Sequence, residues 1–235
     1  MRLTVIGIGR LGSAHAATLC AMGHDVLGID VDEVLVGTMA AGHSPYDEPD
    51  LERLVAEGTA SGRLAFTTDL GRAAEHARVH FVCVGTPQCA DRPDADLGAV
   101  HTVIDALVPT IDRPSLVVGK STVPVGTSRL LMERIRGLEQ GPGLVELAWN
   151  PEFLREAHAV EDSLRPSRLV LGTESLRAER LLRRAYAPLV ADGIPVVSTD
   201  LETAELAKVS ANVMLAARVS LVNVLAEMCE RSGAD

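Results

Sequence analysis

Residues 1–12 read MRLTVIGIGRLG. A short run of apolar and β-branched residues enters Gly7-Ile8-Gly9-Arg10-Leu11-Gly12, and an amphipathic stretch over 10–22 follows. The order is strand, glycine turn, helix. Glycines at such a turn permit tight curvature and close approach of backbone to a ligand, while the first amides of the helix face a diphosphate. The next strand, HDVLGID, ends on Asp30. A carboxylate at that place accepts hydrogen bonds from both ribose hydroxyls. A glycine turn by itself is a weak signal. Set between two strands and followed by an acid, this one predicts a dinucleotide site. Asp30 and Asp32 would meet a 2′-phosphate with two negative charges, so NAD is expected over NADP.

Outward from that turn, short apolar runs alternate with longer helical patterns. RLTVIG, HDVLGID, LAFTT, VHFVCVG, SLVVGK, LVELAW, SRLVLG and IPVVS are the strand candidates, with amphipathic segments over 10–22, 96–107, 126–137 and 175–187. Near-continuous apolar strands separated by helices predict a sheet buried on both faces. The expected fold is α/β: a Rossmann-like, doubly wound, mostly parallel sheet with helices on both faces, followed by a long connecting helix. GHSPYDEPD (42–50) and GLEQGPG (137–143) read as turn-rich loops. From Asp200 the texture changes, and LETAELAKVSANVMLAARVSLVNVLAEMCERS continues without proline or glycine. Asp200 and Thr203 are plausible start signals for a helix of roughly 50 Å.

Composition narrows the class of partner. Apolar residues make up 47% but aromatics only 3%, so the core must be built from Val, Leu, Ile and Ala. A net charge of −10 argues against nucleic acid or an anionic membrane as the default partner. No apolar run is expected to reach membrane-spanning length. MRLTVIG reads as a strand and not as a signal peptide. Cys20, Cys83, Cys89 and Cys229 are scattered without CxxC spacing. That fits a reduced, cytoplasmic setting and predicts no metal site.

Three polar loops follow strands on the edge where open α/β sheets place ligands. They are Gly85-Thr86-Pro87, Ser121 to Thr127 (STVPVGT), and Asn150 to Glu156 (NPEFLRE). NPEFLRE also allows a plain reading as a capped helix start, with Asn150 as N-cap and Pro151 in the first turn. On the long helix Lys208 and Asn212 are four apart and share a face, with Glu205 a turn before. A lysine among small apolar residues is often a snorkelling surface group. Aimed at a nicotinamide pocket, a Lys-x-x-x-Asn face would instead polarise an alcohol or aldehyde oxygen.

GIGRLG, VGTP, STVPVGT, NPEFLREA and KVSANVMLAARVSLVN, in that order, resemble the UDP-glucose/GDP-mannose dehydrogenase family from Met1 to Asp235. The resemblance implies a nucleotide-sugar 6-dehydrogenase, UDP-glucose first, that oxidises the C6 alcohol twice with NAD through an aldehyde and a cysteine thioester. It implies that Gly7, Gly9, Arg10, Leu11, Gly12, Asp30 and Thr86 surround NAD. Thr122 and Glu156 would contact the nicotinamide side and a catalytic water. Glu152 would serve thioester hydrolysis or proton transfer, and Phe153, Leu154, Arg155 and Glu156 would hold the substrate. Lys208 and Asn212 would bind it too and stabilise the developing oxyanion. Residues 1–199 would form the NAD-binding domain and 200–235 the start of a central helix that joins a homodimer. The nucleophilic cysteine loop and the second nucleotide-binding domain would lie beyond this chain.

Some positions depart from the family pattern. Arg10 stands where an aromatic is common, DVDEVLVG lacks the basic residue often found after the ribose acid, and Asn223-Val224 replaces Asn-Glu. None of the four cysteines sits in the family's nucleophile motif. Two other readings stay open: a relative of the β-hydroxyacid dehydrogenases, which also pair Lys and Asn on a long helix, and a stand-alone NAD-binding module.

Overall fold

The computed structural model describes residues 1–92 and 94–234. Eight strands appear where the apolar runs predict them: β1 (Arg2–Ile6), β2 (Asp25–Ile29), β3 (Leu64–Thr67), β4 (Val79–Val82), β5 (Ser115–Gly119), β6 (Val145–Trp149), β7 (Leu169–Thr173) and β8 (Val196–Thr199). The helices are α1 (Arg10–Ala21), α2 (Glu33–Ala40), α3 (Leu51–Ala60), α4 (Arg72–His76), α5 (Gly98–Leu107), α6 (Thr127–Leu138), α7 (Ala159–Leu164), α8 (Leu176–Ala185), α9 (Ala187–Ala191) and α10 (Leu201–Ser232).

One sheet holds all eight strands in the order β3-β2-β1-β4-β5-β6-β7-β8. All neighbours run parallel except β6 and β7, which are antiparallel and share only Ala148↔Thr173 and Trp149↔Gly172. Strand order reverses between β1 and β4, and that reversal opens a crevice at the carboxyl ends of the strands. Apart from Arg2 at the start of β1, the central strands β1, β4 and β5 are buried along their length. One face packs against α1, α3, α7 and α8, the other against α4, α5, α6 and the first turn of α10. Burial on both faces explains why these strands read as unbroken apolar runs.

The plain reading of NPEFLRE as a helix start fails. Residues 151–155 form no helix, and α7 begins only at Ala159. Asn150 is buried and its side chain is bound elsewhere, so it caps nothing.

Asp200 caps α10, its carboxylate accepting from Thr203 N at 2.7 Å. Only the first two turns of α10 are buried, through Leu201, Ala204, Glu205 and Lys208. Beyond them Val213, Leu215, Val219, Val222 and Leu225 are exposed. One exclusion drawn from the sequence does not stand: α10 has 32 residues and a window of mean hydropathy 1.6, long and apolar enough to cross a membrane. Arg218 and the amides of Asn212 and Asn223 interrupt its surface.

Candidate active site

The glycine turn is built as its spacing requires. Gly7 has φ +87, and a Cβ there would come within 2.8 Å of Val84 N; a Cβ on Gly12 would come within 1.8 Å of Gly7 O. Both positions need glycine on steric grounds. Ser13 N finds Gly9 O at 2.8 Å, while the amides that precede it at a helix start have no intrahelical acceptor. Gly9, Arg10 and Leu11 form one wall of a cleft of about 300 Å³; Thr86 and Thr122 form another, and Glu152 and Leu154 close its end. Leu11 is an apolar side chain left 39% exposed at that wall. Open space at Gly9, the helix end and the apolar wall together fit a dinucleotide.

Asp30 stands half-buried at the end of β2 and braces the turn. Its Oδ2 accepts from Ile8 N at 2.8 Å and its Oδ1 from Asp32 N at 3.2 Å. Asp32 caps α2, accepting from Val34 N and Leu35 N at 2.9 and 3.0 Å. Both amides fall on Oδ1, and the carboxylate stays beside the end of β2.

The loops after β4 and β5 are stitched together. Thr86 Oγ1 donates to Thr122 O at 2.7 Å, and Ser121 Oγ donates to Val84 O at 2.6 Å. From α10, the buried Glu205 reaches across: Oε2 accepts from Gly126 N at 2.7 Å and Oε1 from Ser128 N at 2.6 Å. Its carboxylate sits at the N-terminus of α6, where negative charge is favoured. Glu205 therefore fixes the STVPVGT loop, whereas Lys208 turns to Glu152.

Asn150 organises the third loop. Its Nδ2 donates to Val170 O at 2.9 Å, and its Oδ1 accepts from Lys120 Nζ at 3.1 Å and from Tyr186 OH at 2.5 Å. Glu152 Oε2 accepts from Leu154 N at 2.7 Å, while Oε1 pairs with Lys208 Nζ at 2.8 Å. Lys208 is buried, with its ammonium 5.7 Å from the Phe153 ring centre. It is not a snorkelling surface lysine. Lys120 keeps part of its surface open to the cleft, yet its amine is enclosed, and desolvation holds it below the usual lysine range. Burial pushes the neighbouring Cys83 thiol up to about 12, so this cysteine is no ready nucleophile.

A second, larger cavity of about 450 Å³ shares Lys120, Glu152 and Leu154 with the first and reaches His15, Arg168 and Tyr186 behind it. Arg168 lies over the Phe153 ring at 4.6 Å. Arg155 is held by Asp162, with Nη2 to Oδ1 at 2.7 Å and Nε to Oδ2 at 3.0 Å.

The structure thus brings together the glycine turn, Asp30, Thr86, Thr122, Glu152 and Leu154, and Lys208 joins them through Glu152, with Phe153 against it. Lys208, Glu156 and Asn212 lie outside the walls of both cavities, Lys208 buried and the other two exposed. Lys120 went unnoticed in the sequence, where its only signal is a basic residue at a strand end directly before STVPVGT.

Two family models match the chain. The model of the UDP-glucose/GDP-mannose dehydrogenase family, NAD binding domain, matches residues 1–190, and the central-domain model of that family matches 202–235. UDP-glucose 6-dehydrogenase of Rhizobium meliloti is 39% identical over 238 residues, covering 100% of this chain and 54% of the relative. A UDP-glucose 6-dehydrogenase of Haloferax volcanii is 41% identical over 244 residues, covering 100% and 56%. The chain spans about half the length of these curated relatives. Among solved structures, GDP-mannose dehydrogenase of Pseudomonas aeruginosa in a ternary complex superposes with a TM-score of 0.92 at 35% identity, covering 100% of this chain and 54% of the other. A Mycobacterium tuberculosis 3-hydroxyisobutyrate dehydrogenase shares the fold alone, with a TM-score of 0.69 at 17% identity over 100% of this chain and 67% of the other.

Proposed function

The chain belongs to the UDP-glucose/GDP-mannose dehydrogenase family and carries its NAD-binding domain, and from that premise we propose that it forms the cofactor half of a nucleotide-sugar 6-dehydrogenase. UDP-glucose is the expected substrate, oxidised at C6 to a uronic acid for polysaccharide biosynthesis. Bound NAD would supply the hydride acceptor. The observation that carries the reading is the Lys208–Glu152 pair, 2.8 Å long, which sets the ammonium directly behind the Glu152 wall of the cofactor cleft. An ammonium held there faces the place where negative charge develops on the substrate oxygen, and preorganised charge of that kind lowers the barrier. Glu152 is in reach to take a proton. The glycine turn, Asp30, Thr86 and Thr122 hold the cofactor, while the backbone from Phe153 to Glu156 and the Arg155 side chain line the substrate side. Asn212, one turn beyond Lys208, completes the donor pair, and Glu156 orients a water at the open end of its loop.

The assay is NADH formation from UDP-glucose and from GDP-mannose by a protein spanning its relatives' length. Two NADH per uronic acid are expected. NADH from 3-hydroxyisobutyrate and none from either nucleotide sugar would favour the β-hydroxyacid reading instead. The 235-residue chain alone should form no uronic acid, because acyl transfer needs a positioned thiolate. Sustained NADH formation abolished by replacing Cys89 would overturn that.

The exposed side of α10 is assigned to a second copy of this chain, which would bury Val213, Val219 and Val222. Light scattering should give a dimer at micromolar concentration, weakened by Val213→Glu. A monomer that partitions into lipid vesicles through α10 would contradict the assignment. The cysteines form no disulfide, which suits the cytoplasm.

A further inference from the structure

Arg10 occupies the fourth position of the glycine turn, exposed on the wall of the cofactor cleft. It forms no ion pair with a carboxylate among the described residues. Its Nη1 donates to Asp47 O at 3.4 Å, and the guanidinium stands 5.9 Å from the centre of the Tyr46 ring. Both contacts are weak ones, so the cation can leave them at small cost. Tyr46 comes from the turn-rich loop over 42–50, where its backbone N donates to Ser44 Oγ at 3.2 Å. Its ring is half-buried and packs against the core beneath α1. Burial first, then the charges of Asp30 and Asp32, raise the tyrosine hydroxyl above its usual range, with Arg10 opposing them. Arg10 and Tyr46 thus meet beside the glycine turn, and Asp30 binds the same turn through Ile8 N.

A dinucleotide with its pyrophosphate on α1 and its adenosine ribose on Asp30 would run past Arg10, against which the Tyr46 ring stands. We propose that Arg10 and Tyr46 form a clamp on the adenosine diphosphate half of the cofactor, Arg10 binding the pyrophosphate and Tyr46 holding the 42–50 loop over the ribose. The proposal rests on the NAD-binding reading of this cleft. A guanidinium matches phosphate oxygens in bidentate fashion, which no other side chain of the turn can do. The clamp also gives the 42–50 loop a role, and it supplies a cation on the side where DVDEVLVG has none.

Calorimetric titration of this chain with NAD, ADP-ribose and nicotinamide mononucleotide tests the clamp. Arg10→Gln should weaken NAD and ADP-ribose about tenfold, the loss of one charge-assisted contact, and should flatten the salt dependence of NAD binding. Arg10→Lys should recover part of the loss. Tyr46→Ala should weaken NAD and ADP-ribose alike and leave nicotinamide mononucleotide unchanged. Both positions lie outside the buried core, and a thermal melt verifies that each variant folds. Parent-like affinities in Arg10→Gln and Tyr46→Ala, with NAD still bound by the parent, would overturn the clamp alone. Failure of the parent to bind NAD would overturn the reading beneath it as well.

Discussion

Replacing Glu205 by alanine cuts the tie between α10 and the STVPVGT loop. The carboxylate is 1% exposed and takes two backbone amides, Gly126 N at 2.7 Å and Ser128 N at 2.6 Å. A hydrogen bond to a buried charge contributes about 1.5–3 kcal/mol net, so the two together are worth about 3–6 kcal/mol. Water entering the vacated space would recover about 1–2 kcal/mol by solvating the freed amides. The net loss is then about 3 kcal/mol, a fall in Tm of roughly 6–12 °C for a chain of this size. Glu205→Gln keeps the shape and one acceptor and should lose about half as much. Urea unfolding gives the free energy, and a parallel NAD titration should show weaker binding, since Thr122 lies on the same loop. A loss below about 1 kcal/mol in Glu205→Ala would refute the reasoning. It would mean that α10 does not anchor the loop.

Lys208→Met leaves Glu152 unpaired in a site where its side chain is 13% exposed, and should destabilise the chain by about 3 kcal/mol. The double variant Lys208→Met/Glu152→Gln should recover most of that in a thermodynamic cycle; full additivity would show that the pair does not interact. NAD should bind more tightly than NADP because Asp30 and Asp32 flank the ribose position, and tighter NADP binding in the same titration would displace that assignment. His80, fully buried beside Thr4 Oγ1 at 2.8 Å, is lowered by burial from 6.5 to about 3. The unfolded chain therefore takes up this proton first, so the stability due to the neutral ring is complete above pH 6.5 and falls as pH drops toward 3. Denaturation followed across that range should show a shallower acid slope in His80→Asn; an unchanged slope would remove His80 as a cause.

Local signals in the sequence carried far. The glycine turn, Asp30 and all eight strands are legible because each depends on residues adjacent in the chain. The direction of β7 is not. A strand buried on both faces shows the same apolar run whichever way it points, and only two residue pairs join it to β6. Contacts that close over long separations were hidden for the same reason. Asn150 looks like a helix cap until Lys120 and Tyr186, distant in sequence, converge on its oxygen. Glu205 shares a turn with Lys208, yet a rotation around α10 sends it to α6 and Lys208 to Glu152. Tyr46 lay in a loop whose turn residues said nothing about which surface it would cover. The placement of Glu156 near substrate came from resemblance, and that of Asn212 also from its spacing to Lys208; both side chains are exposed in this fold.

The central claim is that the strand-end edge around β1 and β4 is one cofactor site, continuous with the Glu152–Lys208 pair. Backbone amide NMR of the 235-residue chain, recorded as NAD is added, tests it directly. The account predicts the largest shifts at Gly9 to Gly12, Asp30, Thr86 and Thr122, with smaller ones at Glu152 and Leu154. Shifts confined to the cavity behind Phe153, at His15, Arg168 and Tyr186, would contradict it.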